Sequence, residues 1–203
     1  MGLFEMAVKI SSIVEGHGEV AALPVLLRRL ATWLTPEVYF EVAPPIRVNK
    51  DRFLNKDEEF RRHVLLAAGK VGQSGWVLVL LDADDDCPAV TGAEILERAK
   101  KIVPGLKISV VLANREYEAW FIAAAKSLDG FRGFSLRGGD VVEAERPRDA
   151  KGWIGDRMPA GYGEVLDQPA FSARFDLEQA LEGSRSFRKL HSEWGKQAEN
   201  FAE

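Results

Sequence analysis

Six consecutive apolar residues, Trp76-Val77-Leu78-Val79-Leu80-Leu81, run without a polar break into Asp82-Ala83-Asp84-Asp85-Asp86. A strand that is apolar on both faces has to be covered on both faces, which is the situation of a central strand in a parallel sheet. The run therefore predicts an α/β fold, and the flanking pattern agrees. Residues 8–14 predict another strand. Residues 18–34 predict an amphipathic helix, with Val20, Leu23, Leu26, Leu27 and Leu30 on one face and Pro24 in the early turns. Residues 37–43 alternate like a half-buried strand that Pro44-Pro45 stops. Helices are predicted over 57–71, capped near Asn55 or Asp57, and over 91–102, where Thr91 and Glu94 would form a capping box. Residues 107–112 predict a fourth strand and residues 116–127 a fourth helix. Strand–helix alternation of this kind implies parallel βαβ units with right-handed crossovers.

Residues 1–128 are read as this α/β core. From 129 to 203 the periodicity weakens. Short helices are predicted only over 175–181 and 186–194, as an α-rich C-terminal extension packed on the core.

Composition narrows the function classes. The chain has 203 residues and a net charge of −4, which argues against coating nucleic acid through bulk positive charge. It leaves room for an enzyme acting on nucleic acid, because acidic metal ligands lower the formal charge. With three histidines and one cysteine, Cys87, a structural zinc site is not expected and an internal disulfide is excluded. No apolar run reaches the roughly 18 residues of a membrane helix, and residues 1–5 lack a basic-then-apolar leader. A cytoplasmic protein is the expectation.

Two acidic clusters sit at strand exits: Glu15-Gly16-His17-Gly18-Glu19 after the first strand, and the Asp82–Asp86 cluster after the apolar run. Carboxylates there are costly to desolvate unless a cation or hydrogen bonds compensate. Strand exits are also where open α/β sheets bind ligands. If the strand persists, Asp82 and Asp84 share a face and can offer oxygens to one ion. Mg²⁺ suits such a set, and a pair of ions roughly 3.5–4 Å apart would support phosphodiester cleavage. Gly16 and Gly18 would allow a tight turn with close backbone approach to a ligand, and the next helix N-terminus could attract phosphate. No Gly-x-Gly-x-x-Gly or Gly-Lys-Ser/Thr fingerprint accompanies them.

The pattern Glu15-Gly16 with Glu19, then Asp82 and Asp84 after a later strand, resembles the Toprim catalytic domain of topoisomerases, primases and OLD-type nucleases. It is more closely similar to the Toprim-like family described as domain of unknown function 4276. That resemblance is carried by Val14-Glu15-Gly16 with Glu19, by Leu81-Asp82-Ala83-Asp84-Asp85, and by Asn114-Arg115-Glu116-Tyr117-Glu118-Ala119-Trp120-Phe121. Pro147 with Lys151, and Ser184, Ser186, Phe187 and Leu190, extend it over most of the chain. It implies a Toprim-like (Rossmann-like), mainly parallel sheet flanked by helices, and Mg²⁺- or Mn²⁺-dependent hydrolysis of DNA or RNA. By the same resemblance Glu15 is a general acid/base or metal ligand, Asp82 and Asp84 hold metal, and Glu116 and Glu118 complete a second ion site. Lys151 is a catalytic candidate, and Gly16, Gly18, Glu19, Asp85, Asp86 and Arg115 are supporting residues. Related proteins include nuclease effectors of phage defence that act beside a partner ATPase. The family's tyrosine closely followed by lysine is represented here only by Tyr162, with no lysine in 163–175.

Plainer readings stand beside these. Acidic residues at strand exits also serve as caps and turns, and Glu19 would stabilise the first helical turn through the dipole. Glu116 and Glu118 share no helical face if they begin a helix, but both could face the site if the strand runs through Arg115. Arg115 is expected to pair with a carboxylate, Trp120 and Phe121 to be core, and His17 to be exposed. Arg47, Lys50, Arg52, Arg146, Arg148 and Arg157 read as solvated surface, or as backbone contacts if nucleic acid binds. Two other functions use the same residues: a non-catalytic or partner-activated Toprim module, and a metal-dependent phosphoesterase on small molecules. The sequence leaves oligomer formation open.

Overall fold

The computed structural model describes residues 7–140 and 142–199. Residues 1–5, read above for a leader, lie outside them. Among the described residues five strands form one parallel sheet: β1 (Val8–Val14), β2 (Phe40–Val42), β3 (Ile46–Arg47), β4 (Trp76–Asp82) and β5 (Lys107–Ala113). β2 and β3 both pair with one side of β1, β4 with its other side, and β5 forms the far edge. β4 and β5 pair along their full length, from Trp76 opposite Lys107 to Asp82 opposite Ala113. The helices are α1 (His17–Leu34), α2 (Lys50–Asn55), α3 (Asp57–Val71), α4 (Pro88–Ile102), α5 (Ala119–Ala123), α6 (Ala125–Leu128), α7 (Ala150–Gly155), α8 (Glu164–Ser172), α9 (Leu177–Gly183) and α10 (Arg185–Glu199).

Every residue of β4 is buried, as the apolar run demands. Leu78 and Leu80 enter one core with Leu23, Leu26 and Leu30 of α1 and with Phe171, Leu190 and Trp194 of the C-terminal helices. Val77, Val79 and Leu81 enter a second core with Phe60 and Val64 of α3 and Ile95 of α4. Each such side chain contributes about 1.5–3 kcal/mol when fully buried. The fold is thus a mixed α/β sheet flanked by helices, with C-terminal helices completing one face. No helix among the described residues is long and apolar enough to cross a membrane.

Several element boundaries depart from the sequence reading. The strand expected over 37–43 is only Phe40–Val42, and β3 and α2 were not anticipated. Asn49, not Asn55 or Asp57, is the capping residue in this region: its side chain accepts from Arg52 N at 2.9 Å and starts α2, while Lys56 occupies the cap position of α3. α4 begins at Pro88, where a fixed φ suits a first helical residue. Thr91 therefore lies inside that helix and donates its N–H to the Cys87 carbonyl. The helix expected over 116–127 starts only at Ala119, after Arg115 turns the chain with a left-handed φ of 69°, and breaks at Ala124, whose own ψ of 21° is not helical. α1 continues past Pro24, beyond its early turns, which deprives the Val20 carbonyl of its usual donor. α7 and α8 lie in the stretch of weak periodicity, α9 is shifted two residues later than predicted, and α10 runs on to Glu199.

Gly18 illustrates how tightly α8 packs on α1. A Cβ at this position would lie 1.8 Å from Gln168 Oε1 and 2.8 Å from the Glu164 carbonyl oxygen. Gly18 is required for helix approach, not for a ligand-binding turn. Gly18→Ala should destabilise the fold by about 2–4 kcal/mol through overpacking, read as a fall in urea midpoint with unchanged m-value.

Candidate active site

The exits of β1, β4 and β5 open toward one end of the sheet, and the acidic residues divide there into an inner and an outer group. Asp82 ends β4 on the face of Leu78 and Leu80, so it points toward the α1 side of the sheet. Its Oδ1 accepts from Tyr117 N at 2.8 Å, while Oδ2 has no hydrogen-bond partner among the described residues. Glu118, fully buried, accepts through Oε1 from the Tyr162 hydroxyl at 2.9 Å, and its Oε2 has no partner. Lys151, near the start of α7, lies 3.0 Å from Glu164 and 4.0 Å from Glu116. Glu116 also accepts from Lys151 N at 3.0 Å, tying the turn after β5 to α7.

Electrostatics set this inner group apart. Burial, then the charges of Glu19 and Glu118, raise the Asp82 pKa well above the ordinary range. Burial raises Glu118 to about 7, against the pull of Lys151. Glu19 and Glu15 are raised as well, both mainly by burial. Lys151 is raised by Glu118, Glu164 and Asp82, which together outweigh its own desolvation. Six carboxylates, Glu15, Glu19, Asp82, Glu116, Glu118 and Glu164, thus surround one lysine, and Asp82 Oδ2 and Glu118 Oε2 lack a hydrogen-bond partner among the described residues.

Glu19 is buried and accepts from Gly16 N at 2.7 Å and Glu15 N at 3.1 Å. This is the first-turn role expected of it, and it has a consequence for ligand binding. The carboxylate occupies the Glu15 and Gly16 N–H groups just ahead of α1, so those two donors are not offered to a phosphate. Gly16 has an extended φ of −80°, so no left-handed turn depends on it.

The outer group is closed by ion pairs. β4 ends at Asp82 and Asp84 has a φ of 50°, so the two aspartates do not share a face as an unbroken strand would give. Asp84 instead meets Lys50 Nζ at 2.6 Å, and the same ammonium donates to the Asp82 carbonyl at 2.7 Å. Lys50 is buried at 7% exposure and is not the surface cation its neighbours suggested. Asp85 is held by Arg115 at 2.5 Å and Arg148 at 2.6 Å, and Asp86 closes a backbone turn to Ala83. Arg115 thus pairs with a carboxylate as expected. Glu15 stands between the groups, within the fields of Lys50, Asp84 and Lys151. Arg157 pairs with Asp140 and lies over the Trp153 ring. Trp120 and Phe121 are core, and His17 is exposed.

Among the described residues no three histidine, cysteine or acidic groups form a ready-made cation cage. The donors without a hydrogen-bond partner among the described residues, Asp82 Oδ2 and the buried Glu118 Oε2, are hard oxygens of the kind Mg²⁺ takes in ones and twos, with water and phosphate completing its shell. The donor set therefore fits a hard divalent cation held by few protein ligands.

Lys50, Tyr162 and Glu164 were missed as site residues. Lys50 carried no signal beyond the Asn49 cap. Tyr162 had one, as the remnant of a family motif. Tyr162→Phe should remove the hydroxyl that donates to Glu118 Oε1 and cost about 1–3 kcal/mol, measured by thermal melts at pH 7; an unchanged melt would show that water replaces the hydroxyl.

No match to this chain was found among curated proteins or among solved structures. A family model described as a domain of unknown function, DUF4276, matches residues 14–193. That match runs from the first strand exit through α10 and takes in Glu15, Asp82, Glu118, Lys151 and Tyr162; the chain belongs to the DUF4276 family.

Proposed function

We propose that this chain is a Toprim-like phosphodiesterase that uses Mg²⁺ or Mn²⁺ to hydrolyse DNA or RNA. The observation that carries the reading is the buried carboxylate surplus around Lys151, with Asp82 Oδ2 and Glu118 Oε2 open. A divalent cation, when bound, polarises phosphoryl oxygen and makes water a competent nucleophile near neutral pH. Asp82 and Glu118 would hold it, with Glu15 at the mouth of the site.

The remaining chemistry falls to the chain itself. Tyr117 N–H fixes the Asp82 carboxylate, and the Tyr162 hydroxyl fixes that of Glu118, so both present one defined oxygen. Lys151 is protonated and can neutralise charge on a substrate phosphate. Beside it a cleft of about 280 Å³, lined by Lys151, Gly152, Tyr162 and Glu164, leaves room for such a group. A partner-activated version of the same enzyme is favoured by the closed outer group, where Lys50 engages Asp84 and two arginines engage Asp85.

The test is cleavage by the purified chain of single- and double-stranded DNA and RNA, and of small phosphoesters, with Mg²⁺, Mn²⁺ or chelator. Metal-dependent cleavage of an oligonucleotide supports the proposal. Turnover of small esters alone would replace nucleic acid as substrate. Activity insensitive to chelator would sink it.

A further inference from the structure

Of the three non-glycine residues with positive φ among the described residues, two, Asp84 and Arg115, meet beside the candidate active site. They hold each other: Asp84 N donates to the Arg115 carbonyl at 3.0 Å, and Arg115 Nη1 donates to the Asp84 carbonyl at 2.9 Å. The left-handed region is costly for a residue with a side chain, and such cost concentrates where a group must be held in one place. The group held here is the Arg115 guanidinium. Arg115 and Arg148 grip Asp85 from two sides, one on each carboxylate oxygen. This occupant is weakly held for so deliberate a seat. The Arg148 and Asp85 side chains are 73% and 67% exposed, and exposed ion pairs contribute little. The two guanidiniums carry one charge more than the carboxylate, and the Arg115 Nε–H is buried without a hydrogen-bond partner among the described residues. Asp84 does not supply the missing charge, because Lys50 takes it, and Asp149 accepts from Gly152 N instead.

A phosphodiester carries one charge over two free oxygens, as a carboxylate does, and paired guanidiniums suit both. Asp85 can therefore be exchanged for a backbone phosphate one for one. Position ties the seat to the site. Arg115 precedes Glu116, whose carboxylate accepts from Lys151 N. Arg148 lies three residues before Lys151, which keeps their Cα atoms within about 11 Å of each other. One strand of a duplex carries a phosphate about every 3.4 Å of axis, so a single strand can reach the arginines and Lys151 together. We propose that Arg115 and Arg148 seat a backbone phosphate of a nucleic-acid strand beside the one at Lys151, and that Asp85 fills this seat in the free protein and is displaced by the strand. The inference rests on the reading of nucleic acid as substrate, but it concerns binding alone and takes no step through a metal.

The experiment measures binding of short single-stranded DNA and RNA oligonucleotides to the full chain by fluorescence anisotropy, in chelator and over a series of salt concentrations. Asp85→Asn should tighten binding about threefold to tenfold, the scale of one or two exposed ion pairs released. Asp86→Asn removes the same charge one residue along and should give a smaller gain. Arg148→Ala should weaken binding about fivefold. It should also lower the slope of log K against log salt by about 0.7, one single-strand phosphate contact. In the Arg148→Ala background the gain from Asp85→Asn should shrink to that of Asp86→Asn. The proposal is overturned if Asp85→Asn binds no tighter than Asp86→Asn, if Arg148→Ala keeps the parent's salt slope, or if none of these proteins binds measurably. The same ranking with inorganic phosphate and none with oligonucleotide would assign the seat to a free anion instead. Cleavage with Mg²⁺ is scored separately. Binding with the expected ranking but no cleavage would overturn the catalytic reading and leave the seat standing, and cleavage with affinities indifferent to Asp85 and Arg148 would do the reverse.

Discussion

Asp82→Asn should reduce metal-dependent cleavage by about a thousandfold, equivalent to about 4 kcal/mol of transition-state stabilisation, while making the metal-free protein more stable. Both effects come from one oxygen. The asparagine carbonyl can still accept from Tyr117 N, so the turn after β5 keeps its anchor. What is lost is a charge that burial, Glu19 and Glu118 all oppose. In the unfolded chain at pH 7 that carboxylate is ionised at no cost, so folding has to desolvate or protonate it. Removing it should add about 1–2 kcal/mol, or roughly 3–6 °C in melting temperature for a chain of this length. The gain should shrink as pH falls and vanish only below about pH 3, where the acid is neutral in both states. A turn residue with no functional charge would give the opposite result: no loss of cleavage and no pH-dependent gain. If the purified chain needs a partner to cleave, the stability half of the experiment still reads the site.

Most of the α/β core was legible because its signals are local. The unbroken run from Trp76 to Leu81 can be satisfied only between two layers, and β4 is buried throughout. The same holds for β1 and β5, where β-branched residues and the turn signals around them bound short strands. The site was half legible. Asp82, Glu15 and Glu118 were chosen from their place in order along the chain, and they do lie at neighbouring strand ends. Asp84 was paired with Asp82 by assuming that the strand persists, which the left-handed turn at Asp84 prevents. Lys50 and Tyr162 were missed for a different reason. Each reaches the site from a segment without apolar periodicity, and only tertiary packing brings Lys50 to Asp84 or Tyr162 to Glu118. In the C-terminal extension from residue 129 onward the periodicity is too weak to show α7 and α8, which are short helices among Gly and Pro. Their stability comes from the core that Ile154 and Phe171 share with α1 and α5.

Lys151→Met should destabilise the protein in a strongly pH-dependent way. Lys151 is the cation that acts on Asp82, Glu118 and Glu19, and its side chain is 29% exposed. Breaking a buried charge arrangement costs about 3–5 kcal/mol, and partial solvent access lowers the expectation to roughly 2–3 kcal/mol at pH 8 by the same reasoning. The sign of the pH effect follows from Glu118. Its pKa is raised from 4.5 to about 7 in the fold, so the folded state binds more protons than the unfolded state across that interval. Stability is then full below about pH 4.5 and falls as pH rises to about 7. Asp82, Glu15 and Glu19 are shifted in the same direction and reinforce the slope. Glu145 and Glu193 are shifted down and lose stability only in stronger acid, so they do not cancel it. Without Lys151 the attraction that restrains the Glu118 and Asp82 shifts is gone, and the slope should steepen and extend above pH 7. Near pH 5 the variant should lie close to the parent, because neutral acids do not need the ammonium. Urea titrations from pH 4.5 to 8 measure this directly. A stability difference that stays constant over that range would mean that Lys151 acts through packing of its aliphatic stem, and the carboxylates would not form one electrostatic unit.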